Sequence, residues 1–194
     1  MKSDIIKYFQ KSIEVKLSIL NNEQLLESIE IACNMVISTL ENGGKIIFAG
    51  NGGSAADSQH LAAEFVSRFM FNRPGLSSVA LTTDTSIITA IGNDYGFDYL
   101  FKRQLEAIGN QNDLFIGIST SGNSPNIIEA LKYCKEIGID SIGMSGETGG
   151  QMNDLSKLLI NVPSDKTSHI QESHITIGHI ICMIAEQTIF NDYR

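Results

Sequence analysis

Three stretches of the 194-residue sequence carry side chains whose types and spacing suit chemistry. In Ile46 to Glu64, IIFAGNGGSAADSQHLAAE, a glycine-rich turn follows an apolar run and leads into a segment holding His60 and Glu64. On a helix, four residues of separation rotate two side chains apart by about 40°, so this imidazole and carboxylate stand on one face. That pair suits metal ligation or general acid/base work. On an arbitrary helix such a pair is more often a solvated ion pair, but here it begins only about two turns after the turn.

The second stretch is Ser119-Thr120-Ser121-Gly122-Asn123-Ser124-Pro125. Ser124 is placed as an N-cap and Pro125 as the first helical residue, where a missing N–H costs nothing. Four hydroxyls, a glycine and a helix N-terminus on one loop suit a phosphate monoester, against the plainer reading of an ordinary capping turn. Neither GxxxxGK[ST] nor GxGxxG is present, so a Walker-type or dinucleotide site is not indicated.

The third stretch, HIQESHITIGHI, lies in a final helix predicted over about 169–190 and carries Gln171, His174 and His179. Helical rotation sets His179 about 80° from Gln171 on one side and His174 about 60° on the other. Only one histidine can join Gln171 in a site, and periodicity does not choose between them.

Elements to position these groups are legible around them. Ile46–Ala49, Ser78–Leu81, Asp113–Ile118, Asp140–Met144 and Lys157–Val162 read as five short strands. Helical patterns separate them: one starts near Ser54 as its cap, one runs through Ile87–Ile91 until Gly92–Gly96 breaks it, and others follow at Phe101–Ile108 and Ile127–Ile137. The alternation predicts an α/β fold, a doubly wound five-stranded parallel sheet with helices on both faces. Ligands of such sheets sit beyond the strand C-termini, where both the Gly50–Ser54 and Ser119–Ser124 loops fall. The glycine-rich segment 145–150 reads as mobile. Two amphipathic helices precede the first strand, with Ile5, Phe9, Ile13, Leu17 and Leu20 on one and Leu25, Ile29, Ala32, Val36 and Leu40 on the other. They cannot both be crossover helices, so at least one apolar face needs another home, either a partner subunit or plain packing on the same domain.

Composition narrows the classes. With 14 Lys+Arg against 22 Asp+Glu, the net charge of −8 has the wrong sign for broad phosphate neutralisation, so no nucleic-acid partner is expected. No apolar run is long enough to span a membrane and the charged N-terminus has no signal-peptide core, so no membrane is expected and a cytoplasmic location is. Cys33, Cys134 and Cys182 are odd in number and far apart, and read as buried thiols.

GNGGSAADSQHLAAEF, AIGNDYGF, GISTSGNSPN and HIQESHITIGHI, in that order, resemble the phosphoheptose isomerases of the sugar-isomerase (SIS) fold nearly end to end. The resemblance implies one three-layer αβα SIS domain over residues 1–194, in which 1–42 contribute to oligomer packing and 43–194 form the α/β core. It implies a cytoplasmic homotetramer that converts sedoheptulose 7-phosphate to D-glycero-D-manno-heptose 7-phosphate, the entry to activated heptoses of lipopolysaccharide, capsule or surface glycans. The family's acid/base pair falls on Glu64 and His179, which selects His179 over His174. One zinc ion per subunit is implied at His60, Glu64, Gln171 and His179. The phosphate loop matches Ser119, Thr120, Ser121 and Ser124, while Asn51, Gly52, Gly53, Ser54, Asn93, Asp94 and Gln171 match sugar-contacting positions. Arg68, one turn beyond Glu64, is placed on the same face, where it would organise charge.

The residues suit that chemistry. Ketose–aldose isomerisation moves a proton between neighbouring carbons through an enediol and needs a base at one carbon and a proton donor near the other oxygen. The rival of a different class is a non-catalytic SIS protein such as the DnaA initiator-associating protein. That relative lacks a carboxylate and histidine matching Glu64 and His179, and this chain has both. A sugar-phosphate-sensing regulator would need a helix-turn-helix segment or basic patch, which this chain lacks.

Overall fold

The computed structural model describes residues 1–191. Two helices, α1 (Lys2–Leu20) and α2 (Glu23–Glu41), lead into β1 (Ile46–Gly50), α3 (Gly53–Val66), β2 (Ser78–Ala80), α4 (Thr85–Asp94), α5 (Leu100–Ile108), β3 (Leu114–Ile118), α6 (Pro125–Ile137), β4 (Asp140–Ser145), β5 (Leu158–Asn161) and α7 (Thr167–Ile189). The strands form one parallel sheet in the order β2-β1-β3-β4-β5. The doubly wound expectation holds.

Every residue of β1 and β3 is buried, because helices cover both faces. Side chains alternate across the sheet. Ile46, Phe48, Leu114 and Ile116 pack with α2, α3 and α7, while Ile47, Ala49 and Phe115 pack with α5 and α6. Phe65, 1 % exposed, anchors α3 to the first of these cores, and truncation to alanine there would cost about 3–5 kcal/mol. The three cysteines are free and buried as expected.

α2 turns Leu25, Ile29, Ala32, Cys33 and Val36 into the core. α1 behaves differently: Val15 and Ile19 pack inward, whereas Ile5, Phe9, Ile13, Leu17 and Leu20 stay exposed, Phe9 by 65 % and Leu20 by 63 %. The apolar stripe of the first helix therefore faces away from its own domain.

Several local expectations are corrected. The helix through Ile87 and Ile91 does not stop at Gly92 but runs to Asp94 and ends before Gly96, whose φ of 92° breaks it. Segment 145–150 is pinned rather than loose: the Gly146 N–H donates to the Thr120 carbonyl at 3.1 Å, and Ser145 is fully buried. Backbone groups of a β-strand end are satisfied by its neighbour loop, which sequence patterning does not reveal.

Candidate functional site

The crossovers from β1 and β3 leave toward opposite faces of the sheet, so their C-terminal ends open a crevice at the switch point of the strand order. Loops 50–53 and 119–124 line that crevice. Asn51 and Asn126 tie them together through two reciprocal amide hydrogen bonds, each 2.9 Å. Asn126, 1 % exposed, was not singled out in the sequence; its only local sign is its place in the first turn after Pro125.

Ser54 does not cap α3. The cap position is Gly52, with φ 56° and ψ −121°, a conformation open to glycine, and Ser54 lies buried inside the first turn. Ser124 does occupy the N-cap of α6, but its side chain takes no backbone N–H and instead meets the Ser119 hydroxyl at 2.8 Å. Ser119 also lies 3.4 Å from the Ser121 hydroxyl, and Ser121 accepts from the Asn123 N–H. By contrast α2 and α4 are capped by Asn22 and Asp84. No side chain caps either helix that starts at the crevice, so the Gly53 and Ser54 N–H groups of α3 and the Asn126 N–H of α6, whose Pro125 has none, stand open beside a cluster of hydroxyls. Thr120 is half-buried and its carbonyl holds Gly146, as above.

At the side of the crevice, α3 and α7 bring the remaining candidates together. His60 and His179 meet Nε2 to Nε2 at 2.9 Å, and Glu64 places a carboxylate oxygen 3.4 Å from the same His60 nitrogen. Only one of two facing Nε2 atoms can carry the hydrogen between them, so the other presents its lone pair. The His179 ring stacks on Phe69, with centroids 5.5 Å apart. Gln171 reaches the same region and donates to Asp57 across a long 3.5 Å. The Gln171 amide lies over Gly53, where a Cβ would displace it.

Asp57 belongs to this cluster and was missed in the sequence. Burial pushes its carboxyl up, opposed by the Gln171 amide and the His60 and His179 imidazoles. The spacing 57, 60, 64 on one helix, at i, i+3 and i+7, was the available sign.

The structure also separates the histidines of α7. His174 is fully buried and its Nε2 donates to the Ser145 carbonyl at 3.1 Å; burial lowers its pKa to about 4. It fastens α7 to the end of β4. His169 packs against the ring of Tyr8 from α1. Only His179 joins the cluster.

Three predicted residues stand apart. α3 ends at Val66, so Arg68 is not on the helical face extrapolated for it, and its side chain is exposed in the segment that follows. Asn93 and Asp94 are exposed at the end of α4 and bond to each other at 2.8 Å. Among the described residues, no hydrogen bond or ion pair joins these three to His60, Glu64 or His179. Nor do three His, Cys, Asp or Glu side chains, among the described residues, already converge as a metal site.

Comparison with known proteins adds to this geometry. The SIS domain family model matches residues 7–146. The phosphoheptose isomerase of Aneurinibacillus thermoaerophilus is 60 % identical over 191 residues, covering 98 % of this chain and 96 % of that protein. The structure of phosphoheptose isomerase from Neisseria gonorrhoeae superposes with a TM-score of 0.89 at 43 % identity, over 96 % of this chain and 98 % of that one. One from Francisella tularensis gives 0.91 at 37 % identity, over 95 % and 97 %. Among the described residues, no helix is long and apolar enough to cross a membrane.

Proposed function

The chain belongs to the SIS-domain family and, within it, to the phosphoheptose isomerases, and we propose that it interconverts sedoheptulose 7-phosphate and D-glycero-D-manno-heptose 7-phosphate through an enediol. The observation that carries this reading is the convergence of Glu64 from α3 and His179 from α7 on one point, His60 Nε2, beside the hydroxyl-lined crevice.

In this reading the phosphate is gripped by Ser119, Ser121 and Ser124 with Thr120 and the Asn126 N–H at the start of α6, and Asn51 to Ser54 border the sugar. Glu64 removes the C1 proton of the ketose. His179 gives a proton to the C2 oxygen, and the enediol becomes the aldose as Glu64 delivers its proton to C2 and the C1 hydroxyl returns a proton to His179. Gln171, held over Gly53, orients the sugar.

Zinc fits the donor set in type and partly in place. His60 and His179 already face one another through nitrogens, Glu64 adjoins them, and Gln171 lies next to Asp57 in the same cluster. His60, Glu64, Gln171 and His179 would hold it, and when bound it supplies Lewis-acid polarisation of the carbonyl. Amide oxygen is a weak zinc ligand, so affinity would be moderate and the metal displaceable. The exposed stripe of α1 supports a homotetramer, and the chemistry supports a cytoplasmic role in supplying heptose to lipopolysaccharide, capsule or other surface glycans.

Incubation of the purified protein with sedoheptulose 7-phosphate, followed by proton NMR, tests the reading. Formation of the aldose with loss of activity on chelation and recovery with zinc is the expected result. Absence of aldose in every arm refutes the isomerase, and turnover indifferent to chelation refutes the zinc.

A further inference from the structure

A buried ion pair lies two turns along α7 from the cluster and takes no part in the mechanism above. Glu186 is fully buried, the Arg73 side chain is 1 % exposed, and Arg73 Nε donates to a Glu186 oxygen at 3.0 Å. Such pairs seldom add stability over well-packed apolar residues, so their hydrogen bonds indicate what else they do.

The Arg73 guanidinium closes the C-terminus of α3. It donates to the carbonyls of Glu64 at 2.8 Å and Phe65 at 2.6 Å, with a longer 3.4 Å contact to Ser67 and one of 3.0 Å to Pro74. α3 has no basic residue in its last turn, so this is the cation at its negative dipole end. Glu186 in turn accepts from the N–H groups of Phe69 at 2.8 Å and Met70 at 2.6 Å. Burial raises the Glu186 carboxyl pKa, but these two N–H groups and Arg73 outweigh it and hold the group ionised below its ordinary value. The pair thus grips the backbone of Glu64 at one end. At the other it grips the backbone of Phe69, whose ring stacks on His179. His179 itself precedes Glu186 by seven residues, two turns of the same helix.

We propose that Arg73 and Glu186 are positioning residues that set Glu64 and His179 relative to each other, with Phe69 as the contact that transmits the constraint to the imidazole. The inference rests on the isomerase reading for its kinetic test but not for its spectroscopic one.

Glu186→Gln keeps the volume but offers one acceptor oxygen and an N–H2 where two oxygens now receive three donors, so an amide of residue 69 or 70 is left facing a donor. The kcat for sedoheptulose 7-phosphate should fall on the order of 10- to 100-fold, the scale of a misplacement of about 1 Å. KM should stay within about 2-fold, because the hydroxyl loop after β3 is untouched. In imidazole NMR spectra of the zinc-free protein the His179 signals should move, while those of His174 on the same helix stay. Phe69→Leu leaves both buried charges in place and should lower kcat in the same sense.

A folded Glu186→Gln enzyme with wild-type kcat and unmoved His179 signals overturns the proposal, as does Phe69→Leu with wild-type kcat. If Glu186→Gln does not fold, Arg73→Lys, which keeps the charge and loses the fork, is read by the same two measurements. If the wild type itself makes no aldose, the isomerase reading falls alone, and the His179 signals still decide.

Discussion

His174 makes the stability of this fold depend on pH in a calculable way. The ring is fully buried, and because the Ser145 carbonyl must accept, the hydrogen sits on Nε2. Nδ1 is then a bare acceptor, with no hydrogen-bond partner among the described residues. Protonating it places a cation in the core, which is why burial lowers the folded pKa from 6.5 to about 4, against the smaller opposing effect of the Ser145 bond. The unfolded chain binds this proton below about pH 6.5 and the folded chain does not until about pH 4. Stability from this residue is therefore fully present above pH 6.5 and is lost as the pH falls towards 4. Each unit of pH across that window costs about 1.4 kcal/mol, so about 2 kcal/mol disappears between pH 7 and pH 5. His174→Gln keeps a donor for the Ser145 carbonyl but does not titrate. Urea unfolding followed by circular dichroism, at fixed protein concentration and at pH 7, 6 and 5, should show the wild type losing about 2 kcal/mol more than the variant. Equal pH dependence in the two proteins would refute the reasoning.

The site yields further expectations. Glu64→Gln should keep the fold and lose turnover by at least ~10²-fold, the scale of a general base, and near-wild-type activity in the NMR assay would remove Glu64 from that role. Ser121→Ala should mainly raise KM for the phosphorylated sugar, and an unchanged KM would argue against the hydroxyl cradle. Gly53→Ala should displace the Gln171 amide and weaken zinc binding, with little change in thermal midpoint because the obstructing group is the end of a flexible side chain; titration calorimetry matching the wild type would count against Gln171 as a ligand.

Much of this arrangement follows from local rules. Apolar strands of four to six residues, glycine at turns, and Pro125 after Ser124 report backbone preferences that act over a few residues, so strand order apart, the α/β layers and both crevice loops could be read directly. The hydroxyl loop was read as a phosphate site from its composition, and the structure adds that Ser124 turns from its capping role to Ser119. Errors fell where a local rule met a tertiary one. Arg68 was extrapolated along a helix that ends at Val66, where Arg73, reaching back from the following turn, closes it. Segment 145–150 reads as mobile from its glycines, yet the Thr120 carbonyl on the hydroxyl loop holds it.

The sequence by itself determined which elements form, where the two crevice loops fall, and that His60 and Glu64 share a helical face, because periodicity of 2 or 3.6 residues is written locally. Periodicity leaves His174 and His179 equivalent, and only the family resemblance favours His179. Only the tertiary structure separated them physically, by burying one ring against the Ser145 carbonyl and pressing the other between Phe69 and His60. It alone brought Asp57 to Gln171 and Arg73 to Glu186, 114 and 113 residues apart in the chain. Those contacts depend on how α3 and α7 pack against a shared sheet, and no rule confined to neighbouring residues encodes the distance between two helices.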